Sequence, residues 1–149
     1  FAKKQGLDPE KHPGKGRVTD LIFKKFVRPH FVQPAFLINP PVEIEPLAKR
    51  MEQDPNRVER FQVMACSTEL GKGFSELNDP VDQRGRFEEQ MRLREIGDAE
   101  AQRMDEDFVR ALEHGMPPTV GFGFSERLFS IIMNRPIRET TFFPLMKPK

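Results

Sequence analysis

Arg57-Val58-Glu59-Arg60-Phe61-Gln62-Val63-Met64-Ala65-Cys66-Ser67-Thr68-Glu69-Leu70-Gly71-Lys72-Gly73-Phe74-Ser75-Glu76-Leu77 is the run whose parsing decides the fold. In its first half Val58, Phe61, Val63 and Ala65 take mostly alternating positions. In its second half Leu70, Phe74 and Leu77 are apolar while Glu69, Lys72 and Glu76 are charged. Period-two alternation sends successive side chains to opposite faces of a strand. Residues 57–67 and 68–77 are therefore expected to form two consecutive antiparallel strands, although no Asn-Gly pair marks the turn between them.

Helical signals follow the hairpin. Asn78-Asp79 is a good cap and Pro80 suits a first helical position. Phe87, Met91 and Leu93 carry that helix toward Gly97. Asp98 is expected to cap a second helix, in which Met104, Phe108, Ala111 and Leu112 recur at helical spacing before His114-Gly115 ends it. The glycine-rich strand Val120-Gly121-Phe122-Gly123-Phe124 then feeds a helix capped by Ser125, and residues 137–145 read as extended.

Upstream, Val18, Leu21, Ile22 and Phe26 fall on one face of a helix that Pro29 stops, and Ala35-Phe36-Leu37-Ile38 reads as a short buried strand. Residues 42–50 begin extended and turn at Pro46. Residues 1–16 read as a polar leader or linker. The fold class expected is α+β, an antiparallel sheet flanked by helices.

Composition narrows the function classes. The 149 residues suit one domain. Lys plus Arg number 24 against 23 Asp plus Glu, which argues against bulk charge driving nucleic-acid binding. No apolar run reaches the ~20 residues of a membrane span. The single cysteine, Cys66, excludes an internal disulfide framework and fits a reducing, cytoplasmic setting. The core must rest on aliphatics, Met and the 14 Phe, because Trp and Tyr are absent.

The bare residues suggest limited chemistry. Glu69 and Glu76 are seven apart, so plain alternation separates their faces, while a bulge at Gly71 or Gly73 unites them. Acidic strand residues are mostly a wet face; in a central strand each carboxylate needs a cation. Gly121-x-Gly123 before a helix permits close approach of an anion, with Arg127 in the first turn to reach for it. It is no Walker loop, since no Gly-Lys-Ser/Thr follows. His12, His30 and His114 do not make a metal set, and Cys66 reads as a half-buried small residue.

Longer motifs go further. Residues 69–80, with Gln83, Arg84, Arg86, Phe87 and Gln90 after them, resemble the class II lysyl-tRNA synthetases. So do Gly115-Met116-Pro117-Pro118-Thr119, the strand and helix from Gly121 to Leu128 (motif 3, about residues 120–135), the Phe143-Pro144-Leu145-Met146-Lys147-Pro148 tail, Gln33-Pro34-Ala35-Phe36 and Pro46-Leu47-Ala48-Lys49. The resemblance implies a partial class II core over residues 17–149, activation of lysine with ATP and Mg²⁺, and transfer to tRNA(Lys). It assigns Arg127 to the triphosphate as the catalytic arginine, and Glu69, Gly121 and Gly123 to ATP. Lys72, Phe74 and Glu76 fall to the amino-acid pocket, with Glu76 receiving the ε-ammonium. Glu69 and Gln62 fall to metal.

This sequence departs from that pattern at particular places. Gln62 stands where the family carries a second metal-binding glutamate, Lys72 where it carries an asparagine, and Glu45 where it carries the serine of Ser-Pro-Leu-Ala-Lys. Motifs 1 and 2 and the anticodon-binding OB domain, which precede this region in the family, are not in these residues. The expected partners are thus a missing N-terminal half or a homodimer partner, and no membrane. A second reading is a synthetase-like paralogue serving as a non-catalytic binding or regulatory module. A partial sheet also implies an open edge strand that self-associates unless covered.

Overall fold

The computed structural model describes residues 1–8 and 14–143. His12 and the Pro144–Pro148 part of the tail lie outside the described residues. The centre is a four-stranded antiparallel sheet in the order β1 (Ala35–Ile38), β2 (Arg60–Ala65), β3 (Thr68–Ser75), β4 (Val120–Phe124). The expected α+β class holds, with helices α1 (Lys15–Ile22), α2 (Pro80–Glu95), α3 (Glu106–Glu113) and α4 (Arg127–Met133) around the sheet.

β2 and β3 form the expected hairpin, closed by Ala65 opposite Thr68. The turn is Cys66-Ser67, with φ of +51° and +59°. Two left-handed residues give the twist a two-residue hairpin needs, normally with Asn-Gly. Here the conformation is imposed on side chains that disfavour it. The backbone N–H groups of Cys66 and Ser67 donate to the carbonyls of Val32 and Phe31, at 3.0 and 2.8 Å, which pins the turn from outside. Cys66 is exposed, not half-buried as its composition suggests.

The two faces of the sheet differ in kind. One is aromatic. Gly73 of β3 lies between Phe61 of β2 and Phe122 of β4, and with no side chain there the two rings stack across it at 5.7 Å. Phe36 meets Phe61 edge-on at one side and Phe124 meets Phe122 at the other. Phe36, Phe122 and Phe124 are nonetheless 68, 50 and 67% exposed. The expected buried strand β1 is therefore an edge strand with Phe36 and Ile38 outward, because nothing described covers this face. The opposite face carries the polar residues and the candidate site.

α2 begins as expected, with Asp79 accepting from the N–H groups of Val81 and Asp82. Its buried face is polar, however: Gln83, Arg86 and Gln90 join Phe87, while Met91 and Leu93 are only half-buried. Gln83 donates to the Pro46 carbonyl, and Arg86 donates to the carbonyls of Ala48 at 2.6 Å and Glu45 at 3.2 Å. These bonds satisfy the carbonyls of Glu45, Pro46 and Ala48 in a half-buried irregular segment. Apolar periodicity is blind to such a face.

Other boundaries shift for local reasons. Asp98 does not cap α3; it is buried and takes the Arg17 guanidinium at 2.9 Å, while Asp105 caps α3 through the Phe108 N–H. The first helix does not stop at Pro29, but loosens through a π turn, Phe23–Val27, into a 3-10 turn, Arg28–His30, that holds the proline in its first turn. Val42–Ile44 and Ile137–Glu139 are 3-10 turns where extended chain is expected. Among the described residues, no helix is long and apolar enough to cross a membrane.

Candidate active site on the polar face of the sheet

The β2–β3 register decides which side chains meet. Gln62 opposes Lys72 and Val63 opposes Gly71, but Met64 opposes Glu69, so Leu70 is an extra residue in β3. This bulge lies one residue before Gly71. It turns Glu69 onto the face of Gln62, where the Gln62 Nε2 donates to Glu69 Oε2. Lys72, Phe74 and Glu76 follow on that face by alternation. Gly123 and Gly121 of β4 lie opposite Lys72 and Phe74. Seven of the residues singled out from sequence thus share one surface, and α4 starts beside it with the eighth, Arg127.

At one end stands Glu76. Its backbone N–H donates to the Thr119 carbonyl, and it bridges to Ala48, whose flanking residues pair with Ser75 and Leu77. The same Ala48 carbonyl takes Arg86 of α2, so the helix braces the strand end that carries the carboxylate. A Cβ at Gly121 would stand 2.4 Å from Glu76 Oε1, so the glycine makes the notch the carboxylate occupies. Among the described residues, no hydrogen bond or ion pair reaches the half-buried Glu76 side chain. Desolvation alone pushes its carboxyl above the ordinary value of 4.5. A cation brought beside such a half-buried carboxylate offsets its desolvation.

Lys72 lies four residues back along β3, about 13 Å away at strand rise. It is exposed and pairs with neither Glu69 nor Glu76. It therefore does not oppose a cation at Glu76. Beside it, nothing lies within 4 Å of the Cβ position of Gly123. The Ser125 N–H donates to the Leu70 carbonyl at 2.8 Å, which brings the start of α4 to this same end. Arg127 is exposed, and Ser125 Oγ accepts from its backbone N–H at 3.3 Å. The surface is thus divided: Glu76 stands at one end, and Glu69 and Lys72 at the other, where α4 begins with Arg127.

Sequence reading missed Arg60 and gave Glu45 no partner. Arg60 follows the alternation of Gln62 onto the polar face, is buried, and forms an ion pair with Glu45. Burial lowers its guanidinium, and the nearby Glu69 and Asp20 carboxylates push it back up. With Gln62 and Glu69 it lines a cavity of about 1160 Å³ that reaches α1 and α2. The signal was present in Arg60-Phe61-Gln62 and in the odd acidic residue at 45.

A divalent ion fits these donors poorly. An amide that donates to Glu69 Oε2 competes for the oxygen a metal requires, and Lys72 adds positive charge. Among the described residues, no three Asp, Glu, His or Cys side chains converge.

The sequence matches the class II tRNA synthetases (D, K and N) over residues 15–147, and the chain belongs to that family. It is 47% identical over 146 residues, 97% of its length, to a lysine–tRNA ligase of Moorella thermoacetica. It is 47% identical over its whole length to that of Thermoanaerobacter pseudethanolicus, and 45% over 99% to that of Pasteurella multocida. The chain spans about 30% of the length of each of these relatives.

Proposed function

We propose that the chain is the C-terminal catalytic segment of a lysine–tRNA ligase, with residues 1–16 as leader and 17–149 as core. One observation carries this reading: the half-buried carboxylate of Glu76 in the notch above Gly121, which has no partner among the described residues. An ammonium on a flexible apolar stem satisfies it, with the stem along Phe74. The substrate carboxylate then extends toward Lys72 and Arg127, where nucleotide phosphates belong.

ATP enters as its magnesium complex, over Gly121 and Gly123 and beside Glu69. A lysine carboxylate oxygen attacks the α-phosphorus and pyrophosphate leaves, giving lysyl-adenylate. The terminal ribose hydroxyl of tRNA(Lys) then attacks the lysyl carbonyl and AMP leaves. Charge grows on the phosphates during the first step, and fixed cations at that end stabilise it. The reaction belongs to a cytoplasmic full-length protein, whose remaining part supplies the tRNA contacts and covers the aromatic face of the sheet. The names of the relatives support this reading.

The test is calorimetric titration with lysine, norleucine and MgATP. Saturable lysine binding, absent for norleucine and reduced about 10- to 100-fold by Glu76→Gln, is expected. Equal binding of norleucine overturns the assignment of Glu76. Gln62 and Lys72 favour the non-catalytic module as a second reading. Lysine-dependent ATP–pyrophosphate exchange by the full-length protein separates the two, since a module binds without exchange.

A further inference from the structure

We infer that Lys72 is a built-in cation for the nucleotide's phosphates, occupying by covalent attachment the place where a resident divalent ion would otherwise be held. The inference rests on the ligase reading of this face and adds the part that handles charge at its phosphate end.

Three strands place the residues in one row: Gln62 of β2, Lys72 of β3 and Gly123 of β4 are direct cross-strand neighbours. Gln62 is occupied by Glu69, and nothing lies within 4 Å of the Gly123 Cβ position, so the space beside Lys72 is open on that side. The ammonium itself is exposed and has no ion pair or hydrogen bond among the described residues. The neighbouring guanidinium of Arg60 is already neutralised by Glu45, so it does not compete. At this end the Glu69 carboxylate is engaged by the Gln62 amide, whereas the Lys72 ammonium is unengaged among the described residues. An unengaged ammonium attracts phosphate and repels a free divalent cation.

Gln62 and Lys72 are also two of the positions where the sequence departs from the family pattern, and they face each other across the hairpin. Replacing a carboxylate by an amide removes one negative charge, and replacing an amide by an amine adds one positive charge. Together the pair shifts the local charge by two units, the charge of one divalent ion. A lysine ammonium is a compact point charge on a flexible stem, suited to following phosphate oxygens.

The experiment uses the 149-residue chain and two probes, Mn²⁺ followed by electron paramagnetic resonance and inorganic tripolyphosphate followed by calorimetry in EDTA. Wild type is expected to leave Mn²⁺ free, whereas Gln62→Glu with Lys72→Asn binds it at least about tenfold more tightly. Tripolyphosphate is expected to bind wild type and Lys72→Arg alike, and Lys72→Gln about tenfold more weakly. Mn²⁺ binding by wild type as tight as by the double variant overturns the inference. So does tripolyphosphate binding that is absent from wild type or unchanged in Lys72→Gln. Lys72 is exposed, so its single variants fold; should the double variant fail to, Lys72→Asn alone serves the Mn²⁺ arm. Lysine titration of the same proteins separates the two readings. Loss of lysine binding with intact tripolyphosphate binding refutes the ligase reading of Glu76 and leaves the phosphate site standing.

Discussion

A methyl group at position 121 would meet only the far end of a flexible side chain, Oε1 of Glu76, at 2.4 Å. Gly121→Ala is therefore expected to turn the carboxylate out of its notch while leaving the fold intact. Lysine affinity should fall at least about tenfold with a melting temperature within a few degrees of wild type. At Gly73 the same methyl meets the Gly121 carbonyl and the Phe61 ring, both at 2.9 Å, and neither can step aside without moving the sheet. Glu76 itself trades stability for binding. Its carboxyl pKa is raised above the ordinary 4.5 in the folded chain, so the folded state loses stability as pH rises across the interval from the ordinary value through the raised one. Glu76→Gln removes the penalty, so its thermal stability relative to wild type should grow over that interval and persist at neutral pH. Lysine binding by wild type should weaken as pH falls through the same interval, because only the ionised carboxylate pairs with the ammonium. A pH series of melts and titrations measures both.

At the scale of elements, α2 holds the site through polar bonds to backbone. Arg86 is buried and takes Asp82 at 2.8 Å, with Arg50 on the same carboxylate. Desolvation would raise the Asp82 carboxyl, but hydrogen bonds from Arg86 and Arg50 outweigh it and hold it below the ordinary 3.8. A depressed folded value means the stabilisation is present above the unfolded value and lost as pH falls through the folded one. Asp82→Asn leaves Arg86 buried with a weaker partner and is expected to destabilise the chain by about 2 kcal/mol at neutral pH. The difference from wild type should vanish in acid, which urea unfolding at several pH values resolves. This helix was legible in its cap, Asp79-Pro80, and illegible in its buried face. Gln83 and Arg86 look like solvent residues until the carbonyls of residues 45–48 are brought against them, and Gln90 until the Gln102 N–H donates to it. The hairpin shows the same division: alternation marks β2 and β3, but the bulge at Leu70 follows from their pairing.

On the scale of the whole molecule, the sheet has one furnished face and one bare one. Phe36, Ile38, Val120, Phe122 and Phe124 are each at least half exposed, and among the described residues β4 ends the sheet with an unpaired edge. Large exposed apolar patches and open edges drive association. The isolated chain is expected to scatter light above its monomer mass in a concentration-dependent way, and Phe36→Lys with Phe124→Lys should return it toward monomer. A monodisperse monomer at high concentration would count against this. The sequence by itself determined the α+β class, the order of strands and helices, the family, and the residue types at the candidate site, because alternation, caps and local motifs are written in neighbouring residues. Only the tertiary structure decided that Glu69 and Glu76 share a face, that Lys72 stands well away from Glu76, and that Arg60 belongs to Glu45. Those facts depend on cross-strand register and on contacts between residues distant in sequence, which a one-residue slip would rearrange and which no local pattern encodes.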